Sequence, residues 1–273
     1  MQIFDSHAHY FDTRFEKEYE GGAEALLETL MPSPVAYVVN VATGTANARL
    51  AIAQAAAHAG MYAAVGIHPE DCHFITDPDA ALSELEALLG TREERAARKI
   101  VALGEIGLDY HWQSYDDGRI PMDKGKQMYF LERQLSMAQK LDLPVIIHDR
   151  EAHGDCFEAV LRYPCVKGVF HSYSGSAEMA KELTRRGWYV SFSGPLTFTN
   201  ATRVREAAAA VAPEWVLVET DAPYLAPHPM RGRLNHSGLL TYTLERLATI
   251  WGVGVEEAAS ITLGNAKRLF GID

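Results

Sequence analysis

Cysteine is scarce in this chain of 273 residues: Cys72, Cys156 and Cys165 are scattered, and no C-x-x-C pair occurs. That spacing excludes a disulfide scaffold and a thiolate metal module, and it fits a reducing compartment, so a cytoplasmic location is expected. No uninterrupted run of about 18 apolar residues is present, so no membrane span or membrane partner is expected. The first ten residues lack a basic segment followed by an apolar one, so no signal peptide is expected. Basic residues are also in deficit, 25 Lys and Arg against 36 Asp and Glu, for a net charge of −11. This excludes broad electrostatic coating of nucleic acid but leaves room for a local positive site supplied by bound cations. No Pro-, Gly- or Ser-rich linker, short repeat or low-complexity tract divides the chain. One domain over residues 1–273 is expected, with no obligatory protein partner evident.

What the chain does have is regular alternation. Apolar, β-branched runs fall at 2–9, 35–43, 61–69, 99–109, 143–149, 166–174, 187–194 and 215–223. Between them lie helical patterns: an alanine-rich one at 46–59, a leucine-spaced one at 79–98, and others at 123–141, 176–186 and 200–212. Residues 237–270 read as two more helices broken at WGVGVE, and Gly60 and Gly187 stand where helix-ending glycines are favoured. Strands alternating with helices pair in parallel, and eight such units predict an α/β fold, the (β/α)8 TIM barrel. An open doubly wound sheet fits less well, because no G-x-G-x-x-G follows the first strand.

Barrel active sites form at the C-terminal strand ends. Here those ends carry His7 and His9, His68, Glu105, His148, His171 and Asp221. A lone histidine at a strand end is ordinary; five of them joined by two carboxylates in apolar strands are not. Buried ionisable groups are costly unless paired or metal-bound, and a metal centre resolves that cost. Imidazole and carboxylate without thiolate suit Zn, Mn, Fe, Co or Ni, and Mg is also admissible. His7, His9, Glu105, His148, His171 and Asp221 are too many ligands for one open tetrahedral ion, but suit two divalent metal ions roughly 3.5–4 Å apart. Such a pair implies hydrolysis. Strict alternation along FDSHAHY would put Asp5, His7 and His9 on one face, and Phe4, Ala8 and Tyr10 outward against helices.

The ordered set DSHAH (5–9), GIHP (66–69), GEIGLDY (104–110), LPVIIHDR (143–150), FHSYSGS (170–176), SFSGPLTF (191–198), ETDAPYLAP (219–227) and GNAKRLF (264–270) spans essentially the whole chain. It resembles the TatD family of metal-dependent deoxyribonucleases, within the amidohydrolase-like superfamily. The resemblance implies that His7, His9, Glu105 and Asp221 surround one ion and that Glu105, His148 and His171 surround the other. It implies that Asp221 orients or deprotonates the attacking water. His68 is similar to a substrate-facing residue and Arg150 to a phosphate contact. Asp109 would orient a ligand or hold a water, and Asp5 would support a ligand from behind. Arg231 and Arg233, after the eighth strand, would meet a polyanion.

Some positions depart from the family's usual pattern. Asn235 is followed by His236 and Ser237 in place of Glu-Pro, Ser172 and Tyr173 replace the commoner Cys and Phe, and Asp149 replaces a common serine. None removes a candidate ligand; His236 bears most on substrate preference. The leading expectation is a divalent-metal deoxyribonuclease, a 3′–5′ exonuclease on single-stranded DNA held only transiently, with Tyr110, Trp112, Tyr173 and Phe198 as candidate base-stacking residues. An amidase or lactonase on a small cyclic substrate is the alternative hydrolase, weakened because Glu105 stands where related barrels often carry a carbamylated lysine. A non-catalytic metal-binding protein is the remaining alternative, and it would have no use for Asp221.

Overall fold

Each apolar run becomes a strand in the computed structural model, which describes residues 1–111 and 123–273. These are β1 Ile3–Ala8, β2 Val35–Val41, β3 Met61–Val65, β4 Ile100–Asp109, β5 Val145–Arg150, β6 Gly168–Phe170, β7 Tyr189–Phe192 and β8 Val216–Val218. Neighbours in sequence pair in parallel from β1 through to β8. A bridge between Ala8 and Ala222 then joins the two edges, with His9 N–H donating to the Ala222 carbonyl at 2.7 Å. The sheet is thus a (β/α)8 barrel.

One or two residues from every strand meet inside it: Phe4, Val39, Val41, Ala64, Ala102, Ile146, Val169, Tyr189 and Leu217. The opposite faces, including Ile3, Val38, Leu103, Ile147, Phe170 and Val190, pack beneath the helices. Helices α1 Thr13–Glu18, α2 Gly22–Leu30, α3 Thr45–Ala57, α4 Pro69–Cys72, α5 Pro78–Leu89 and α6 Arg92–Ala97 belong to the first half. Then follow α7 Lys124–Leu141, α8 His153–Leu161, α9 Ala177–Arg185, α10 Thr202–Ala210, α11 Leu240–Trp251 and α12 Val255–Phe270. Phe270, the last residue of α12, stacks on Phe4 with ring centroids 6.1 Å apart and plugs the lower end of the interior. Among the described residues, no helix is long and apolar enough to cross a membrane.

Three expectations need correction. The single helix over 79–98 is two, because Gly90 ends α5 and Thr91 starts α6 with a capping box: its side chain accepts from Glu94 N–H while Glu94 returns to Thr91 N–H. Gly60 ends no helix, since α3 stops at Ala57. It lies against the Ala36 carbonyl oxygen, where a β-carbon would sit 2.0 Å away. Gly187, in contrast, does follow a helix end, with φ +81°.

The third correction concerns β1. Its pairing with β2 slips between Asp5 and Ala8, so alternation breaks there. Phe4 consequently faces the barrel interior instead of the helices, while Ala8 and Tyr10 do pack outward. Asp5 does not share a face with His7 and His9. Its carboxylate accepts from Thr220 Oγ1 and Ser237 Oγ, both at 2.6 Å.

Candidate metal centre

The slip in β1 aims both histidines of DSHAH at the C-terminal mouth. His7 Nε2 and His9 Nε2 stand 3.1 Å apart. Glu105 Oε2 lies 3.3 Å from the first and 3.8 Å from the second, and Asp221 Oδ1 lies 3.7 and 3.3 Å from them. On the other side, Glu105 Oε1 is 2.7 Å from His148 Nδ1 and 2.7 Å from His171 Nε2. The two oxygens of one buried carboxylate are therefore divided between two clusters of donors. All six candidate ligands come together, contributed by β1, β4, β5 and the segments just past β1, β6 and β8.

Neighbouring groups fix which imidazole nitrogen faces the centre. His9 Nδ1 lies 2.6 Å from the Val41 carbonyl and must donate there, which leaves Nε2 as a lone pair. His148 turns Nε2 to Asp109 at 3.0 Å, and His171 turns Nδ1 to Glu219 at 3.1 Å. Asp109 thus fixes the orientation of the His148 ring, a candidate ligand. Glu219 was missed from sequence. It is fully buried, and Ser191 Oγ donates to its second oxygen. His68 differs from the rest. Its Nδ1 accepts the Glu70 N–H at 3.2 Å, so its proton sits on Nε2, 3.5 Å from Glu105 Oε1. With that cap in place His68 presents Nε2–H, not a lone pair, toward the carboxylate and the cavity.

Electrostatics agree with a cation site. Burial would raise the Glu105 carboxyl, yet His171, His68 and His7 hold it well below the usual carboxylate range. Burial likewise opposes the ionised Asp221, but the His9 hydrogen bond and the nearby His7 charge keep it low. Burial would depress His148, but Asp109 and Glu105 raise it to about 9, and Glu105 and Glu219 hold His171 well above its ordinary value. His7, desolvated and close to His171, is lowered instead. Imidazole nitrogens and carboxylate oxygens converge here, and His7 Nδ1 is buried with no hydrogen-bond partner among the described residues. The donor set fits divalent ions bound through nitrogen and oxygen.

Free of metal, His148 and His171 are both held toward their protonated forms by the surrounding carboxylates, whereas coordination needs them neutral. Titrating Mn2+ or Zn2+ into metal-free protein is expected to release protons, so calorimetric heats will vary with the ionisation enthalpy of the buffer. Apparent affinity will rise with pH until His148 titrates near 9. Heats independent of the buffer would contradict this charge assignment.

The centre opens into a cavity of about 740 Å³ lined by His9, His68, Glu105, Arg150, Ser172, Ser193, Asp221, Tyr224 and Leu225, among others. Arg150 lines it too, 3.9 Å from Asp109. Arg231 and Arg233 are not among the lining residues; Arg231 instead covers the Phe198 ring at 4.3 Å. His236 is also absent from the lining, its Nδ1 buried without a partner among the described residues.

The expected stacking residues are occupied. Lys124 caps Tyr110 at 3.9 Å, Tyr173 is buried with its hydroxyl on the Ser176 carbonyl, and Arg231 caps Phe198. Trp112 lies outside the described residues.

Comparison with known proteins places this geometry. The family model described as TatD related DNase matches residues 4–271. The chain belongs to the TatD family. YabD of Bacillus subtilis, named an uncharacterized metal-dependent hydrolase, is 35% identical over 99% of this chain and 100% of that protein. The metal-dependent hydrolase TatD of Mycobacterium tuberculosis is 36% identical over 91% of this chain and 90% of its own. The crystal structure of YjjV, a TatD homolog from Escherichia coli, superposes with a TM-score of 0.86 at 28% identity, covering 99% and 98% of the two chains. As a TatD-family member this chain is a metal-dependent hydrolase. Its barrel is that of the family's solved structures.

Proposed function

We propose that this TatD-family hydrolase is a phosphodiesterase that trims nucleotides from single-stranded DNA ends, from the 3′ side, using two divalent ions. The observation that carries the proposal is the division of Glu105, with Oε2 facing His7, His9 and Asp221 and Oε1 facing His148 and His171. His7, His9, Glu105 and Asp221 would hold one ion, and Glu105, His148 and His171 the other. Divalent ions held there would supply Lewis-acid polarisation of the phosphodiester and a lowered pKa for bound water. Asp221 stays ionised, and its carboxylate accepts the proton of the attacking water. Arg150 is the one Lys or Arg among the described lining residues and pairs with a phosphate oxygen. His68 donates from Nε2, and the Ser172 and Ser193 hydroxyls, 2.6 Å apart, supply neutral donors elsewhere on the same cavity wall. A cavity of about 740 Å³ takes a strand end rather than a duplex. The family's description as DNase supports DNA as the substrate, and resemblance to the family supports the polarity.

Asp221→Ala is expected to lower metal-dependent nucleotide release from single-stranded DNA by about 10²–10⁴-fold, with the fold intact by circular dichroism. Full activity in that variant would sink the role of Asp221. No release by the wild-type protein with Mg2+, Mn2+, Co2+ or Zn2+ would sink the nuclease reading itself.

A further inference from the structure

One aromatic on the cavity wall was not singled out from the sequence. Tyr224 lines the cavity with 43% of its surface exposed, and Leu225 beside it is 38% exposed. Large apolar side chains left open beside a polar centre are informative, since chain collapse would ordinarily cover them.

Tyr224 is also fixed. Its N–H donates to the Asp221 carbonyl at 2.8 Å, its own carbonyl accepts from Asn235 Nδ2 at 2.6 Å, and its hydroxyl donates to Asp12 at 2.5 Å. Leu225 holds a left-handed backbone at φ +53°, a conformation that a bulky residue adopts only when its surroundings impose it. Gly194 permits this turn by lying against the Leu225 carbonyl, where a β-carbon would come within 1.9 Å. The chain after β8 is thus bent and pinned so that a tyrosine and a leucine face the cavity.

The ring is near the chemistry. Its centroid is 6.3 Å from that of His9, about the separation of a phosphate from the base of its own nucleotide. Arg14 stands 5.7 Å from the ring, farther than the cations that cap Tyr110 and Phe198, and the face is left accessible. Because the hydroxyl is committed to Asp12, Tyr224 offers an arriving group its π-face and not a hydrogen bond. A second phosphate gains little from such a surface; a flat heteroaromatic ring gains most.

We propose that Tyr224, flanked by Leu225, is the surface on which the nucleobase next to the scissile phosphate stacks, and that it determines specificity for nucleoside-bearing diesters over plain ones. This rests on the phosphodiesterase reading above and narrows its substrate class. Stacking of one base on a rigid aromatic corresponds to a preference of ~10-fold or more.

The test compares two chromogenic diesters, thymidine 5′-(p-nitrophenyl phosphate) and methyl p-nitrophenyl phosphate, on Mn2+-loaded protein. The wild type is expected to favour the thymidine ester by ~10-fold in kcat/KM, mostly through KM. Tyr224→Phe should keep that ratio and Tyr224→Ala should bring it to within about two-fold of unity. Taken within one preparation, the ratio cancels losses of fold or metal content. A Tyr224→Ala ratio equal to that of the wild type, or a wild-type ratio near one, overturns the stacking assignment alone. Hydrolysis of neither ester by the wild type overturns the phosphodiesterase reading instead.

Discussion

Glu105→Gln is expected to empty the metal centre and lower kcat/KM by ~10³-fold or more. Glutamine keeps the volume of glutamate but replaces one oxygen with an NH2 donor. Whichever way the amide turns, that donor faces a cluster where glutamate presented an acceptor: His7 and His9 on one side, or His148 and His171 at 2.7 Å on the other. The lost negative charge matters as much, because this carboxylate faces both clusters of donors and supplies charge that would neutralise the ions. Glu105→Asp separates charge from reach. It keeps the anion on a shorter arm, so it should retain part of the metal and an intermediate activity. Elemental analysis of both variants beside a diester assay checks this. Wild-type metal content in Glu105→Gln, with activity within ten-fold of wild type, would show that the carboxylate does not bridge.

Why the strands and the centre could be read from sequence, and some of their surroundings could not, has a physical basis. β-branched runs such as VAYVVNV and VIIH have few conformational alternatives, so β2 and β5 emerge where the pattern puts them. Ionisable residues ending such runs are costly, which is why Glu105, His148 and Asp221 stood out. Glu219 carried the same signal, a carboxylate at the end of an apolar strand, but was passed over beside Asp221. The slip in β1 left no local trace, because it arises from pairing with residues more than thirty positions away. The availability of Tyr110 and Phe198 depended on Lys124 and Arg231, cations distant in sequence that settle on their faces. Helices α1 and α4, of six and four residues, could not be read because so short a run gives little periodicity to detect.

Asp5→Ala should be among the most destabilising single changes in the chain, although Asp5 touches no candidate ligand side chain. The carboxylate accepts from Thr220 N–H at 3.0 Å, His7 N–H at 3.3 Å, and the Thr220 and Ser237 hydroxyls, tying β1 to the segments on both sides of Asp221. Alanine leaves these buried donors without an acceptor, at about 1–3 kcal/mol for each that cannot turn elsewhere. Burial raises Asp5 from the ordinary 3.8 to about 6, against the pull of Ser237 and Thr220. A carboxyl with a folded pKa above its unfolded one stabilises the fold fully below the unfolded value, and that contribution is lost as pH rises through the folded value. The gap between wild type and Asp5→Ala is therefore widest near pH 4, about 4 kcal/mol or a shift of roughly 10 °C in Tm, and narrows by about 3 kcal/mol toward pH 7. Asp5→Asn keeps an oxygen for the two backbone donors and lets the hydroxyls rotate to accept, so it should cost less and show a flatter pH dependence. Urea unfolding of the metal-free proteins from pH 4.5 to 7.5 measures both slopes. A penalty for alanine that stays level or grows with pH would mean that the folded state does not raise the Asp5 carboxyl, so that its hydrogen bonds, not its burial, set its proton affinity.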